Sequence, residues 1–313
     1  MIRSLKQEGV SVVYISHRME EIFTICDRIT VMRDGKSVDT KPIPDTNFNE
    51  VVKKMVGREL TERYPTRHPK PGEPVLEVKG LSSKSRFEHV SFTVRAGEIV
   101  GVSGLMGAGR TEMMRAIFGL DSLDSGEVWV RGKQVQIKKP DDALRHGIGF
   151  ITEDRKDEGL ILDFSVRENM ALPNLFSFSE RGFISGKKEK EFVDSLIKRL
   201  HIKTHSSETL ARNLSGGNQQ KVVIAKWIGI GPGVLILDEP TRGVDVGAKR
   251  EIYQLMNELT ERGVGILMVS SDLPEVLGMS DRILVVHEGR ITGELDGADA
   301  TQEKIMTLAT GGQ

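Results

Sequence analysis

The sequence predicts an α/β fold built on a largely parallel β-sheet. Three apolar runs of strand length, at residues 98–103, 234–237 and 266–269, carry this prediction. The first run leads into a glycine loop and a helix, and helical patterns separate it from the other two. Alternation of buried strands and helices is typical of a parallel sheet with crossover helices.

Two smaller parts complete the predicted architecture. Residues 75–78 and 91–94 alternate apolar and polar side chains, as half-buried antiparallel strands do, and 127–130 predicts a further strand. Residues 156–230 read as helical, and apolar residues at 188–200 fall on one helical face. We therefore expect an antiparallel β subdomain and an inserted helical subdomain beside the parallel sheet.

Composition narrows the class of protein. The 313 residues include 44 Lys+Arg and 45 Asp+Glu, so the net charge of −1 argues against a nucleic-acid partner. A single cysteine, Cys26, excludes an intramolecular disulfide and a Cys-rich metal site. Neither a membrane-spanning run nor a signal-peptide core is visible in the sequence. We expect a cytoplasmic location, with any membrane role acting through a partner.

An internal repeat organises the chain. Residues 9–35 and 263–289 share a strand–helix–strand pattern, and in each segment the first strand is predicted at 12–16 or 266–270. The identical positions are Gly9, Val10, Ser16, Glu21, Asp27, Arg28, Ile29, Val31 and Gly35, which recur as Gly263, Val264, Ser270, Glu275, Asp281, Arg282, Ile283, Val285 and Gly289.

The repeat predicts the domain boundaries. Residues 1–60 would be the C-terminal part of a first domain, ending in a helix at 49–60. Residues 61–73, with three prolines, would be an extended linker. Residues 74–313 would be a complete second domain, in which 156–230 is the helical subdomain.

A glycine loop follows the first buried strand and opens a helix. In this setting, successive backbone N–H groups and a helix N-terminus can surround phosphate oxygens. A plain glycine-rich turn is the alternative. The candidate binding residues are Gly104, Gly107, Ala108, Gly109, Arg110, Thr111 and Glu112. Arg110 stands where a lysine is usual in this pattern, and the Thr111 hydroxyl could bind Mg²⁺.

Two acids, Asp238 and Glu239, end the strand at 234–237. This strand end resembles that of P-loop ATPases, in which the first acid holds Mg²⁺ and the second polarises the attacking water, and the ligand side of a parallel sheet suits both roles. Solvated acids at a turn are the alternative. The glycine loop earlier in the chain favours the nucleotide site.

A third motif, Ser215-Gly216-Gly217, precedes an apolar helix and could form an anion site from backbone N–H groups. The order of the three motifs resembles that of ABC-type ATPases over residues 74–296. The extended forms SGLMGAGRTE, LSGGNQQK and LDEPTRGVDVGAK resemble the second nucleotide-binding domain of tandem ATPases that serve bacterial sugar importers. Related ATPases serve nucleoside importers, and the NQQK continuation points away from soluble translation-type members.

This resemblance implies binding of ATP and Mg²⁺, with Thr111 and Asp238 as metal ligands and Glu239 and His17 as catalytic residues. It adds Glu153, Asp245 and Ser271 to the nucleotide-binding set. Domains of this family pair head to tail, so the Ser215 motif would complete the site of the first domain. The implied partners are another such domain, an integral-membrane sugar permease and, through it, a periplasmic or lipid-anchored sugar-binding protein. The implied location is the cytoplasmic face of the cell membrane.

Three positions depart from the family pattern. Arg110 replaces a lysine, Glu153 stands where a glutamine is usual, and Ser271 occupies the place that His17 holds in the first copy. These changes predict a degenerate second ATP site. They leave open a regulatory nucleotide-binding fragment with negligible turnover by itself. Phe87 is a weak candidate for stacking on adenine, and a core position is the favoured interpretation.

Overall fold

A computed structural model describes residues 2–15, 19–33, 36–47, 50–51, 54, 64–84, 86–180 and 182–312. The chain divides into two compact units, Met1–Arg63 with Asp245–Glu251, and Tyr64–Val244 with Ile252–Gln313. The predicted helix at 49–60 lies largely outside the described residues. No described helix has the length and apolar character required to cross a bilayer.

The first unit contains two short helices, α1 (Ile2–Gln7) and α2 (Met19–Ile25), and a hairpin of β1 (Arg28–Arg33) with β2 (Lys36–Pro42). Its small apolar core is formed by Ile22, Ile29, Val31 and Val51. The strand predicted at 12–16 is wrong over its described part, because residues 10–15 form no regular element and Val13 and Ile15 are almost fully exposed. A buried parallel strand needs neighbouring strands to satisfy its backbone groups, and the described part of this unit supplies none for that segment.

The second unit is built on a six-stranded sheet in the order β14-β13-β5-β12-β11-β8. All neighbours are parallel except the antiparallel pair at the β14 edge. Every residue of the central strands β11 and β12 is buried, as their uninterrupted apolar runs predict. The strands are β5 (Ile99–Gly104), β8 (Ile148–Ile151), β11 (Val234–Asp238), β12 (Gly265–Val269), β13 (Arg282–His287) and β14 (Arg290–Asp296).

A four-stranded antiparallel sheet, in the order β4-β3-β6-β7, adjoins the parallel one. Its strands are β3 (Pro74–Ser83), β4 (Phe87–Arg95), β6 (Ser125–Val130) and β7 (Lys133–Val135). One apolar cluster joins the inner faces of both sheets. Phe87 is 2% exposed within that cluster, which confirms its assignment to the core.

Helices supply the rest of the second unit. Within 156–230, three helices accompany a two-stranded hairpin of β9 (Ser179–Glu180) and β10 (Phe183–Ile184). The α-helices after α2 whose two ends both lie among the described residues are α3 (Arg110–Ile117), α4 (Pro140–Arg145), α5 (Val166–Ala171), α6 (Gly186–Arg199), α7 (Gly216–Ile228), α8 (Val246–Glu261), α9 (Leu273–Met279) and α10 (Gln302–Ala309). The mixed α/β architecture confirms the predicted fold class.

The proline-rich segment that leads into β3 is fastened to the second unit. The Arg67 guanidinium donates to Asp281 Oδ2 at 2.7 Å and to Thr260 Oγ1 at 3.1 Å, and both members of the Arg67–Asp281 ion pair are largely buried. Asp281 Oδ2 also accepts from the backbone N–H of Ile99 at 2.8 Å, at the start of β5. This segment is therefore an extended connection that is held against the second unit by side-chain hydrogen bonds.

Candidate functional site

The glycine loop connects the end of β5 to the first turn of α3. Gly109 precedes the helix with φ +95°, and a Cβ there would lie 2.8 Å from the Arg86 carbonyl oxygen. At Gly104 a Cβ would lie 2.3 Å from the Val286 carbonyl oxygen. Both positions require glycine because the backbone of neighbouring elements approaches so closely.

The middle of the loop is more open. Gly107 has φ +79°, and a Cβ there would meet nothing within 4 Å. The Ala108 carbonyl accepts from the backbone N–H of Gly289 at 2.9 Å, which ties the loop to the β13–β14 turn. The loop is thus held at both ends while its central backbone remains accessible, as a phosphate cradle needs.

The first helical residues place two polar side chains beside the acids of β11. The Arg110 guanidinium donates through Nη1 to the carbonyl oxygen of Ser270 at 3.0 Å. Its positive charge lowers the pKa of both Asp238 and Glu239, although burial dominates in each case. Thr111 and Glu112 are half-buried in the same turn.

Asp238 is the last residue of β11 and is 1% exposed. Burial raises the pKa of its carboxyl to about 6, with Thr111 and Arg110 opposing the rise. Among the residues that the structure describes, neither carboxylate oxygen has a partner at full hydrogen-bond geometry, although the Thr111 hydroxyl is close enough to offset part of the rise in pKa. A buried, unpartnered carboxylate costs free energy, so this site is built for a ligand that compensates it.

Glu239 follows in a left-handed backbone conformation with φ +50°. Its N–H donates to the Val269 carbonyl at 2.9 Å, which keeps the residue against the end of β12. Burial raises the pKa of its carboxyl, and the neighbouring Ser271 partly offsets the rise. The structure therefore brings Glu239 and Ser271 together at one end of the parallel sheet.

Glu153 lies after β8 and is partly exposed, and its carboxylate is paired with the Arg242 guanidinium. Arg155 donates to the carbonyl of Arg242 at 2.8 Å, and a Cβ at Gly216 would lie 2.9 Å from its Nη2. The sequence predicts an added negative charge at Glu153. In the structure, the Arg242 guanidinium forms an ion pair with that charge.

The Ser215 motif starts helix α7. Ser215 is exposed and makes no side-chain cap to the helix backbone, although its Oγ accepts from Asn218 Nδ2 at 2.9 Å. Gly217 is buried in the first turn. An exposed hydroxyl at an N-terminus with positive backbone dipoles suits an external anion.

Two further candidate residues, Asp245 and His17, are not part of the arrangement described above. Asp245, which groups with the first unit, accepts from the backbone N–H of Ala248 at 3.0 Å and so caps the start of α8. His17 lies outside the described residues.

Sequence reasoning missed a buried polar cluster behind the site. Thr241, Ser270 and Glu275 are each no more than 2% exposed and hydrogen-bond one another through the Glu275 carboxylate. The available signal was the recurrence of Glu21 as Glu275 in the internal repeat.

A glycine loop facing two acids at the ends of parallel strands, together with a Ser-Gly-Gly helix start, defines a P-loop nucleotide-binding domain of the ABC type. A family model described as "ABC transporter" matches residues 87–242. This match shows an ABC transporter domain in the chain and confirms the resemblance read from its motifs.

Curated relatives extend the match over the full chain. The ribose import ATP-binding protein RbsA of Bacillus licheniformis is 76% identical over 313 residues, which are 100% of this chain and 64% of the relative. Its namesake in Bacillus subtilis (strain 168) is 74% identical with the same coverage, and that of Oceanobacillus iheyensis is 69% identical over 312 residues, or 63% of its length. The chain thus spans less than two thirds of the length of these relatives.

Solved structures agree on the fold. A dimeric ATP-binding cassette in a post-hydrolysis state, bound to ADP and Pi, aligns with a TM-score of 0.61 at 25% identity, covering 71% of this chain and 98% of that one. The structure of cbiO1 from Clostridium perfringens aligns with a TM-score of 0.62 at 23% identity, covering 75% of this chain and 93% of that one.

Proposed function

We propose that this chain is part of the ATP-binding, energy-coupling subunit of an ABC importer for a monosaccharide of the ribose class. The observation that carries the nucleotide site is the unpartnered, buried Asp238 carboxylate beside the glycine loop. The sugar class is supported by relatives named for ribose import that are 69–76% identical. A nucleoside importer is the alternative within the family.

Magnesium fits the oxygen donors present. Asp238 supplies two buried carboxylate oxygens without a partner at full hydrogen-bond geometry among the described residues, and the nearby Thr111 hydroxyl lowers the pKa of that carboxyl. Mg²⁺ typically takes one or two protein oxygens together with phosphate oxygens and waters. Thr111 and Asp238 would hold it, and it would neutralise phosphate charge when bound.

The other site residues take roles toward the phosphates. Backbone N–H groups of residues 104–112 would bind phosphate oxygens, and Arg110 would add positive charge beside them. Glu239 would orient an attacking water, and Ser271 would stand near the terminal phosphate where His17 serves the first domain. A hydroxyl cannot supply an imidazole, so we propose that this second site is degenerate.

We infer that the Ser215 motif serves a second ABC domain arranged head to tail. The exposed Ser215 hydroxyl supports this role because it is available to a ligand outside its own domain. Domain closure around nucleotide would move a membrane permease, which receives sugar from a binding protein. The chain would work at the cytoplasmic face of the membrane through that permease.

A regulatory role with negligible turnover by the chain itself is the second candidate. Arg110 and Ser271 favour it, because both alter groups expected near the terminal phosphate. Single-turnover hydrolysis measured on this chain and on the full tandem protein separates the two candidates. Measurable turnover by the chain alone would exclude the regulatory reading.

The test of the nucleotide site is a titration of the purified chain with a fluorescent ATP analogue, with and without Mg²⁺. We expect saturable, Mg-dependent binding, and we expect Thr111→Ala to reduce the Mg dependence because it removes a proposed ligand. Ser177→Ala is a matched control, since the Ser177 hydroxyl only donates to a local carbonyl in another part of the unit. Absence of saturable binding at millimolar nucleotide would refute the proposal.

A further inference from the structure

A buried carboxylate outside the proposed phosphate site connects three of its elements. Glu275 lies in the first turn of α9 and is 1% exposed. Its Oε1 accepts from Thr241 Oγ1 at 2.6 Å, and its Oε2 accepts from Ser270 Oγ. We call Thr241, Ser270 and Glu275 the carboxylate cluster.

Each hydroxyl of the carboxylate cluster belongs to a segment that carries a site residue. Thr241 follows Asp238 and Glu239 on the chain after β11. Ser270 directly follows β12 and precedes Ser271. The Glu275 carboxylate therefore fixes the distance between the segment of the two acids and the segment of Ser271.

The cluster also reaches the glycine loop. The carbonyl of Ser270 accepts from Arg110 Nη1 at 3.0 Å, while the Ser270 hydroxyl accepts from the backbone N–H of Asp272 at 3.0 Å. A residue that is hydrogen-bonded at its hydroxyl and its carbonyl has little freedom to move. Arg110 is thus anchored to a point whose own position depends on Glu275.

We propose that Glu275 is a positioning residue for the terminal-phosphate end of the site. It acts through Thr241 and Ser270, and contacts no ligand itself. Its carboxylate sets the placement of Ser271 and Arg110 relative to Glu239. This inference rests on the proposed nucleotide site, and it assigns to α9 the alignment of that site.

The proposal predicts a selective loss of affinity. If Glu275 aligns groups at the terminal phosphate, Glu275→Ala should weaken MgATP binding by about tenfold, the size of one lost hydrogen bond to a charged group. MgADP binding should change less than about twofold, because the rest of the loop is untouched. A purely structural role would weaken both nucleotides equally or neither.

The conservative variant Glu275→Gln should restore MgATP affinity to nearly the wild-type value. A glutamine carbonyl accepts from one hydroxyl, and its amide donates to the other, so the cluster remains connected. Ser270→Ala breaks one link and should give an intermediate loss, which keeps the test valid if Glu275→Ala fails to fold.

The matched control is Glu98→Ala. Glu98 is also a buried carboxylate, 2% exposed, but it binds Arg282 and the Arg95 N–H at the start of β5, at the opposite end of that strand from the glycine loop. We expect it to lower the melting temperature without changing the ratio of ATP to ADP affinity.

The outcomes separate the two proposals. Wild-type chain that binds neither nucleotide would overturn the proposed function, and this inference with it. Wild-type chain that binds both, with Ser270→Ala and Glu275→Ala leaving the ATP-to-ADP ratio unchanged, would overturn the positioning role alone.

Discussion

The substitution Asp238→Asn tests whether the folded chain holds a negative charge at Asp238 that neighbouring groups do not neutralise. The pKa of the Asp238 carboxyl is raised from 3.8 to about 6, chiefly by burial, and the residue is 1% exposed. A rise in pKa from 3.8 to about 6 corresponds to roughly 3 kcal/mol of folding stability lost at neutral pH. Because the folded-state pKa is raised, this penalty is absent below about pH 4 and complete above about pH 6.

Asp238→Asn removes the charge and keeps the side-chain shape. In nucleotide-free buffer with a chelator, we expect the variant to melt roughly 5–10 °C above the wild type near pH 8. The difference should vanish near pH 4, where the wild-type carboxyl is protonated. The same variant should lose the Mg dependence of nucleotide binding, since a neutral amide is a poor ligand for Mg²⁺.

The control is Glu98→Gln. The Glu98 carboxylate that this variant removes is also buried, but it is paired with Arg282. This variant should lower the melting temperature near pH 8, because it leaves the Arg282 charge partly unpaired. A wild-type melting temperature equal to or above that of Asp238→Asn near pH 8 would show that the carboxylate is already compensated, and would refute the reasoning.

Three further predictions concern the loop, the turnover and the helix start. Gly109→Ala should lower the free energy of unfolding by at least roughly 1–2 kcal/mol, because an alanine there would have to adopt a left-handed backbone conformation. Denaturant unfolding measures this loss, and an unchanged midpoint denaturant concentration would contradict the loop geometry. The rate of ATP hydrolysis by this chain should be about 10²–10³-fold lower than that of the full tandem protein, which is the typical cost of losing one preorganised polar group. Equal rates that Glu239→Gln abolishes would contradict the proposal that the second site is degenerate. Gly217→Asp in the full tandem protein should reduce both ATP hydrolysis and sugar uptake, because the new carboxylate would repel the phosphates of a nucleotide bound to the first domain. Nucleotide binding to the glycine loop of the second domain should change little, and normal hydrolysis and uptake would leave the start of α7 with a local role only.

The strands of the parallel sheet were predictable because they are buried on both faces. Uninterrupted apolar runs such as β11 and β12 have few alternatives once glycine and polar residues bound them. The same reasoning failed at residues 12–15, where an equally apolar run is exposed. Apolar character shows that a segment can form a buried strand, but the neighbours that pair with it decide whether it does.

The local parts of the site were predictable, and its connections were not. The glycine loop, the two acids and the Ser215 motif are each short segments whose spacing carries the chemistry. The hydrogen bonds from Arg110 to Ser270 and from Thr241 to Glu275 join residues far apart in the chain. Such pairs depend on strand order, which no single-segment pattern contains.

The placement of Arg110 gives the departure from lysine a physical meaning. A loop lysine is a compact charge that can be surrounded by the loop, whereas a guanidinium has five donors in a rigid fork. Here one donor is directed at the Ser270 carbonyl, outside the loop, while the charge still lowers the pKa of both Asp238 and Glu239. Asp238 is buried and Glu239 is half-buried, and the single positive charge of Arg110 acts on both carboxylates. A bound Mg-nucleotide brings its own cation to the acids and its phosphates to the loop amides and Arg110. Binding should therefore stabilise the folded chain, by about 2.7 kcal/mol at a hundredfold excess over Kd, and the second site should hold nucleotide even where its turnover is slow.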